Sequence, residues 1–351
     1  MNAPLKILVI RLSSLGDILH ALPAFFDLRT SFPDARIDWL AGHGAAPLLS
    51  AVRGIGTVHI FDKTAAFALP SSRAGRHSLL RVVRTLRGQQ YGCCIDFQGL
   101  LKTALLSSLS GAGTRIGFPA GQVREWPAHW FYNRSPARLR QPLHVVELNR
   151  LLARCAGARP HSVPFDFAVS REDRDHVDSL ISGAGLEDFV VINPGGGWES
   201  KTWKPEYYGE LCTRIRDEWN LPVVVTTGPG EHPLYQRIAA TCGGAPPAHF
   251  RVSFLQLIPL LEKARLLVGG DTGPFHLACA LQTPVVGIFG PTSPVRNGPW
   301  RDADEAVTRG AACSGCYKRK CPTDGGCMDI PVDAVFSAVT RRLLSSGQKP
   351  L

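Results

Sequence analysis

Charged residues make up only 19% of the 351 positions and no low-complexity stretch or internal repeat stands out, so a folded globular chain is expected rather than a solvated tail. The opening MNAPLKILVI lacks the basic segment, long apolar stretch and small-residue cleavage site of an export signal, which leads to the expectation of a cytoplasmic protein whose first strand is Lys6 to Ile10. Long hydrophobic runs are missing too. The best candidate, Leu277 to Val295, contains Pro284, Gly287, Gly290, Pro291 and Pro294 and is excluded as a membrane helix. Zinc-finger and helix-turn-helix patterns are absent, as is the GxxxxGK phosphate loop.

The length suits two domains with separate cores, since single domains usually run about 100 to 200 residues. Net charge is +10 and unevenly spread: residues 1 to 165 hold 20 Lys plus Arg against 8 Asp plus Glu, and residues 166 to 351 hold 19 against 21. A basic first half points to an anionic partner that meets only that half: nucleic acid, an anionic lipid surface or a phosphorylated acceptor. Solvated arginine without a partner is the bland alternative. Six of the ten cysteines (Cys93, Cys94, Cys155, Cys212, Cys242, Cys279) are scattered and read as reduced, buried small residues. The other four, Cys313, Cys316, Cys321 and Cys327, cluster in CSGCYKRKCPTDGGC and leave a zinc-type site open, although the last two are not a CxxC pair.

Strand-like and helix-like runs alternate in both halves. KILVI, ARIDWL, TVHIF and CCIDF are separated by amphipathic stretches, the first helix starting about Ile18, and FVVINPGGG, PVVVTTG, a strand ending at Val268 and PVVGIFG continue the pattern. This predicts an α/β fold with two parallel sheets, divided in the Pro- and Gly-bearing GARPHSVPFDF. Open sheets of this kind bind ligands at the carboxyl ends of their strands, so two facing sheets predict a site in the cleft between them.

Four loops fall at predicted strand ends. In LSSLGD, Asp17 stands at a helix N-terminus, either as a cap or as a carboxylate that takes a proton from a hydroxyl nucleophile. In NPGGGWESKTW, glycines let backbone approach a ligand and Lys201 offers a compact positive charge to a phosphate. In TTGPGE, Glu231 either accepts bonds from ribose hydroxyls or caps the next helix. In VGGDTGPFHLACAL, Gly269 and Gly270 are expected to break the strand. A helix N-terminus then faces a pyrophosphate, joined by Asp271, Thr272, Gly273 and His276. The doublets Asp173 with Asp175 and Asp302 with Asp304 have Asp-x-Asp spacing but polar surroundings, and read as surface. Backbone amides and Lys201 are then left to neutralise a leaving diphosphate without a metal.

In this order the motifs SSLGDILHALPA (Ser13 to Ala24), DFQGLLKTALL (Asp96 to Leu106), REWPAHWFYN (Arg124 to Asn133), KTWKPE (Lys201 to Glu206) and GGDTGPFHLACAL (Gly269 to Leu281) resemble glycosyltransferase family 9, the ADP-heptose:lipopolysaccharide heptosyltransferases. Blocks two and three, with HVVELNR (His144 to Arg150), are most similar to its type I members, and the cysteine cluster is more similar to type II. The resemblance implies a GT-B architecture of two Rossmann-like domains: residues 1–165 for the acceptor, 166–330 for the nucleotide sugar, and a C-terminal helix, 331–346, packing back on the first domain. It implies inverting, metal-independent transfer of heptose from ADP-heptose to Kdo-bearing lipid A, with no cofactor, by a cytoplasmic enzyme peripheral to the inner membrane. Nucleic acid is then not the partner. Carried over by position, Asp17 is the general base, and Lys201, Asp271, Thr272, Gly273 and His276 hold the diphosphate. Glu231 meets the ribose, and Ser13, Ser14, Lys102, Arg124 and His144 line the acceptor side. Arg81, Arg84 and Arg87, three apart on one helical face, either extend that basic patch or are simply solvated. Other family 9 acceptors, and more distantly a nucleotide-sugar epimerase of the same fold, are the competing readings.

Overall fold

The computed structural model describes residues 4–61, 73–161, 165–321 and 326–347. They fall into two compact units that divide between Ala168 and Val169.

The first unit contains β1 (Lys6–Ile10), α1 (Leu15–Leu19), α2 (Leu22–Ser31), β2 (Arg36–Ala41), α3 (Ala46–Ala51), β3 (Val58–Ile60), α4 (Arg73–Gln89), β4 (Cys93–Asp96), α5 (Leu101–Leu109), β5 (Thr114–Ile116) and α6 (Val145–Cys155). Its five strands pair in the order β3-β2-β1-β4-β5, and every pairing is parallel. Parallel strands are covered on both faces, which is why Ile7 to Ile10 are all fully buried. The helix expected from Ile18 begins earlier, at Leu15, and breaks before α2, whose second residue is Pro23. Proline has no N–H and fits only the first turn, so a new helix starts there. On α4, Leu79, Val82 and Leu86 face the core while Arg81, Arg84 and Arg87 stay exposed.

The second unit contains α7 (Arg171–Gly183), β6 (Val190–Asn193), α8 (Pro205–Trp219), β7 (Val223–Thr226), α9 (His232–Thr241), β8 (Ala248–Phe250), α10 (Leu257–Lys263), β9 (Leu266–Gly270), α11 (Gly273–Ala280), β10 (Val285–Phe289), α12 (Pro294–Asn297), β11 (Glu305–Thr308) and α13 (Val332–Ser345). Its six strands run β11-β10-β9-β6-β7-β8, again all parallel. Gly269 and Gly270, expected to break the strand, are its last two residues. A Cβ at Gly269 would lie 2.9 Å from the Asn193 carbonyl oxygen, so glycine is what lets β9 approach β6 there.

One expectation is corrected here, that of a surface Asp304. Helix α13 lends Val335, Phe336, Val339 and Leu343 to the second unit's core. That docking carries charge as well: Arg342 Nε lies 2.7 Å from Asp304 Oδ1, with side chains 6% and 0% exposed, and Arg341 pairs with Glu305. Asp304 is therefore no surface residue. It also accepts the Val285 amide and Arg301.

Candidate active site

Each sheet has one switch point, where the strand order reverses and the loops on either side splay apart to leave a crevice. In the first unit it lies between β1 and β4, and in the second between β6 and β9. All four loops leaving these strands carry polar groups.

At the first switch point, Ser14 caps α1 and Asp17 is its third residue. The Asp17 carboxylate accepts the Ser14 amide and the Ser14 hydroxyl, both at 3.0 Å. The capping role is therefore real. It does not exhaust the residue, because Oδ1 also takes Arg11 Nη2 at 2.5 Å and the side chain remains 32% exposed. Arg11 is buried, fixed by a bond to the Phe97 carbonyl, and has its pKa lowered by that burial. Burial pushes the Asp17 carboxyl up, but Arg11, the Ser14 amide and Arg124 together hold it below the ordinary carboxylate value. The result is an ionised acceptor at a helix N-terminus, open on one side.

The β4 loop completes this corner. Asp96 is fully buried and accepts Tyr132 Oη at 2.7 Å and the Gln98 amide at 2.8 Å. Burial pushes its carboxyl up. Gln98 Oε1 takes the Leu12 amide at 2.8 Å, tying the two loops together. Sequence reasoning missed Arg11, Asp96 and Gln98 as site residues. Arg11 and Asp96 are legible only as the residues at or just past the ends of their strands.

At the second switch point Lys201 and Asp271, 70 positions apart, meet: Nζ lies 2.8 Å from Oδ2 and 3.0 Å from the Asp271 carbonyl oxygen. Lys201 also sits 4.3 Å over the Trp198 ring. His276 Nε2 lies 2.7 Å from Asp271 Oδ1, and Asn297 Nδ2 donates to Oδ2. Burial pushes Asp271 up, but His276 and Lys201 hold it well below the usual carboxylate range. Thr272 caps α11, whose first residue is Gly273. The first amides of that helix, Gly273 and Phe275, have no partner within it and present a positive end to an anion. Glu231 precedes α9 without a side-chain capping bond to it, and its carboxylate accepts the Gly228 amide at 2.6 Å instead. A Cβ on Gly195 would lie 2.5 Å from its Oε1, so a side chain there would push the end of this carboxylate aside.

The structure thus brings Lys201, Asp271, Thr272, Gly273 and His276 together, with His276 only 2% exposed and set behind Asp271. Ser14 and Arg124 stand beside Asp17, Arg124 bonded through its amide to the Gly99 carbonyl, and Ser13 precedes Ser14 in the same loop. Lys102 lies in the first turn of α5. His144 Nδ1 accepts the Val146 amide as cap of α6, and its ring lies edge-on to buried His20. Among the described residues, no group of three or more His, Cys, Asp or Glu is arranged to hold a metal ion. The four clustered cysteines are free thiols, and burial together with Cys313, Cys321 and Cys316 pushes Cys327 up to about 11.

Two all-parallel sheets, each with a polar loop set at its switch point, have the strand arrangement of GT-B architecture. The sequence profile of glycosyltransferase family 9 (heptosyltransferase) matches residues 79–326, and the chain belongs to that family. It is 27% identical to the lipopolysaccharide core heptosyltransferase OpsX of Haemophilus influenzae, over 88% of this chain and 85% of that one. Lipopolysaccharide heptosyltransferase 1 of Pseudomonas aeruginosa is 29% identical over 90% and 87% of the two chains. Among solved structures, E. coli heptosyltransferase WaaC with ADP superposes with a TM-score of 0.76 at 25% identity, covering 96% of this chain and 100% of its own. Family membership sets aside the epimerase reading.

Proposed function

We propose that this chain moves heptose from ADP-heptose to the Kdo sugar of lipid A in building the lipopolysaccharide core. It does so by a single inverting displacement at the inner face of the cytoplasmic membrane. The observation that carries the mechanism is the state of Asp17: ionised, fixed by Ser14 and Arg11, and still reachable from solvent. As an acceptor hydroxyl attacks the anomeric carbon, its proton passes to the Asp17 carboxylate while the bond to ADP breaks. Lys201, held in place by Asp271, and the amide end of α11 take up the charge that develops on the diphosphate. His276 acts through Asp271, which it keeps ionised, and Glu231, held by the Gly228 amide, accepts ribose hydroxyls. Arg124 and Lys102 supply positive charge for the Kdo carboxylates and lipid phosphates. Names of the relatives and the basic first half support this acceptor.

Kdo-bearing lipid A, incubated with the protein and ADP-heptose in EDTA, should gain the mass of one heptose. A gain abolished by EDTA would require a metal in the reaction. No gain, with ADP still binding by calorimetry, would move the acceptor to an already heptosylated core of the kind type II enzymes use.

A further inference from the structure

The link between α5 and α6 presents two large apolar rings to solvent where nothing in the first unit's own packing asks for them. Trp126 and Trp130, in a 3-10 helical turn from Trp126 to Phe131, are 59% and 64% exposed. Their rings meet edge to face at 4.7 Å, and His129 lies 5.2 Å and 5.6 Å from them. The turn below is pinned: Ala128 is fully buried, Glu125 accepts the Leu101 amide at 2.7 Å, Arg115 bonds the Phe131 carbonyl, and Tyr132 bonds Asp96. The rings are held rigidly outward, and Leu101, 40% exposed, adjoins the same turn.

The charge along this stretch of chain has nearly one sign. Residues 101 to 144 carry Lys102, Arg115, Arg124, Arg134, Arg138 and Arg140 against a single carboxylate, Glu125, which is spent on the Leu101 amide. Arg124, Arg134, Arg138 and Arg140 are exposed. Indole rings favour the boundary between water and lipid, where an apolar body and a polar N–H are both satisfied, and cations favour an anionic headgroup layer. No helix among the described residues is long and apolar enough to cross a membrane, so contact of this kind would be peripheral.

We infer that Trp126 and Trp130, carried on a stretch of chain whose exposed arginines are Arg124, Arg134, Arg138 and Arg140, form an interfacial anchor that seats the first unit on an anionic bilayer surface. This rests on the proposed lipid-borne acceptor and names the surface that reaches its membrane.

The test uses the full chain and vesicles without acceptor or donor, made of phosphatidylcholine alone or mixed with phosphatidylglycerol. The wild type should sediment with the anionic vesicles and lose binding in high salt. The W126S/W130S variant, whose replaced rings are exposed and whose melting should be unchanged, should bind at least about tenfold more weakly. Brominated acyl chains should quench wild-type indole emission more than that of the variant, and the single W130S variant should fall between. Equal binding of wild type and double variant, or no bromine quenching, overturns the anchor. So does sedimentation that appears only once Kdo-bearing lipid A is added to those vesicles. Heptose transfer to a deacylated Kdo acceptor separates the two claims: transfer without vesicle binding sinks the anchor alone, and vesicle binding without transfer sinks the proposed acceptor alone.

Discussion

Asp17 is pulled in two directions, since burial favours its neutral form and Arg11, Ser14 and Arg124 favour its charge, with the second set prevailing. A base whose folded pKa lies below the ordinary carboxylate value stays ionised as pH falls toward that value. The acid limb of kcat/KM should therefore lie below about pH 4. Replacing Arg11 by Gln removes the strongest of the groups that lower it, so the limb should move to higher pH, whereas R11K should restore it in part. A purely structural Arg11 would instead lower activity equally at every pH. D17A should cost about 10² to 10⁴ in turnover, the usual scale for loss of a general base. Calorimetric ADP binding should remain close to wild type, because the proposed diphosphate groups all lie in the other unit. G195A is subtler. Its Cβ would displace only the end of the Glu231 side chain, so melting should hardly change while the KM for ADP-heptose rises.

At the scale of elements, strand β1 was legible from its apolar run, whereas the break before Pro23 and the α11 start at Gly273, ahead of the His276 the sequence suggested, came from the structure. What local chemistry left undetermined is which partner an amphipathic element chooses. Helix α13 has an apolar stripe that any core could bury, and the pairing of Arg342 with Asp304, 38 positions apart, assigns it to the second unit. Removing one partner of a buried pair leaves an uncompensated charge, and R342L should lower stability by about 3 kcal/mol in urea unfolding. Arg301, which also reaches Asp304, should soften the loss. G269A should be at least as harmful, since its Cβ meets backbone that cannot swing away.

On the scale of the whole molecule, each unit buries a carboxylate held well below the usual range. Burial opposes the charge on Asp38 in the first unit, but His59 faces it and Tyr91, Arg36 and the Thr57 amide bond it, while His276 and Lys201 do the same for Asp271 in the second. A depressed folded pKa contributes stability that is present above the unfolded value and lost as pH falls through the folded one. The melting temperature should therefore drop steeply from about pH 4 downward and be flat between about pH 5 and 7. ADP, if it binds as proposed, should slow hydrogen exchange at 193–203 and 270–276, with no direct protection at 11–17. The sequence by itself determined the alternation of strand and helix, the two parallel sheets, the glycine- and proline-marked loops and the basic first half. These follow from periodicity, backbone chemistry and charge count, all of which are local. Only the tertiary structure decided that Lys201 meets Asp271, that Arg11 clamps Asp17, that His144 caps a helix, and which core takes the last helix. Contacts between residues far apart in the chain depend on strand order and packing, and no local pattern encodes them.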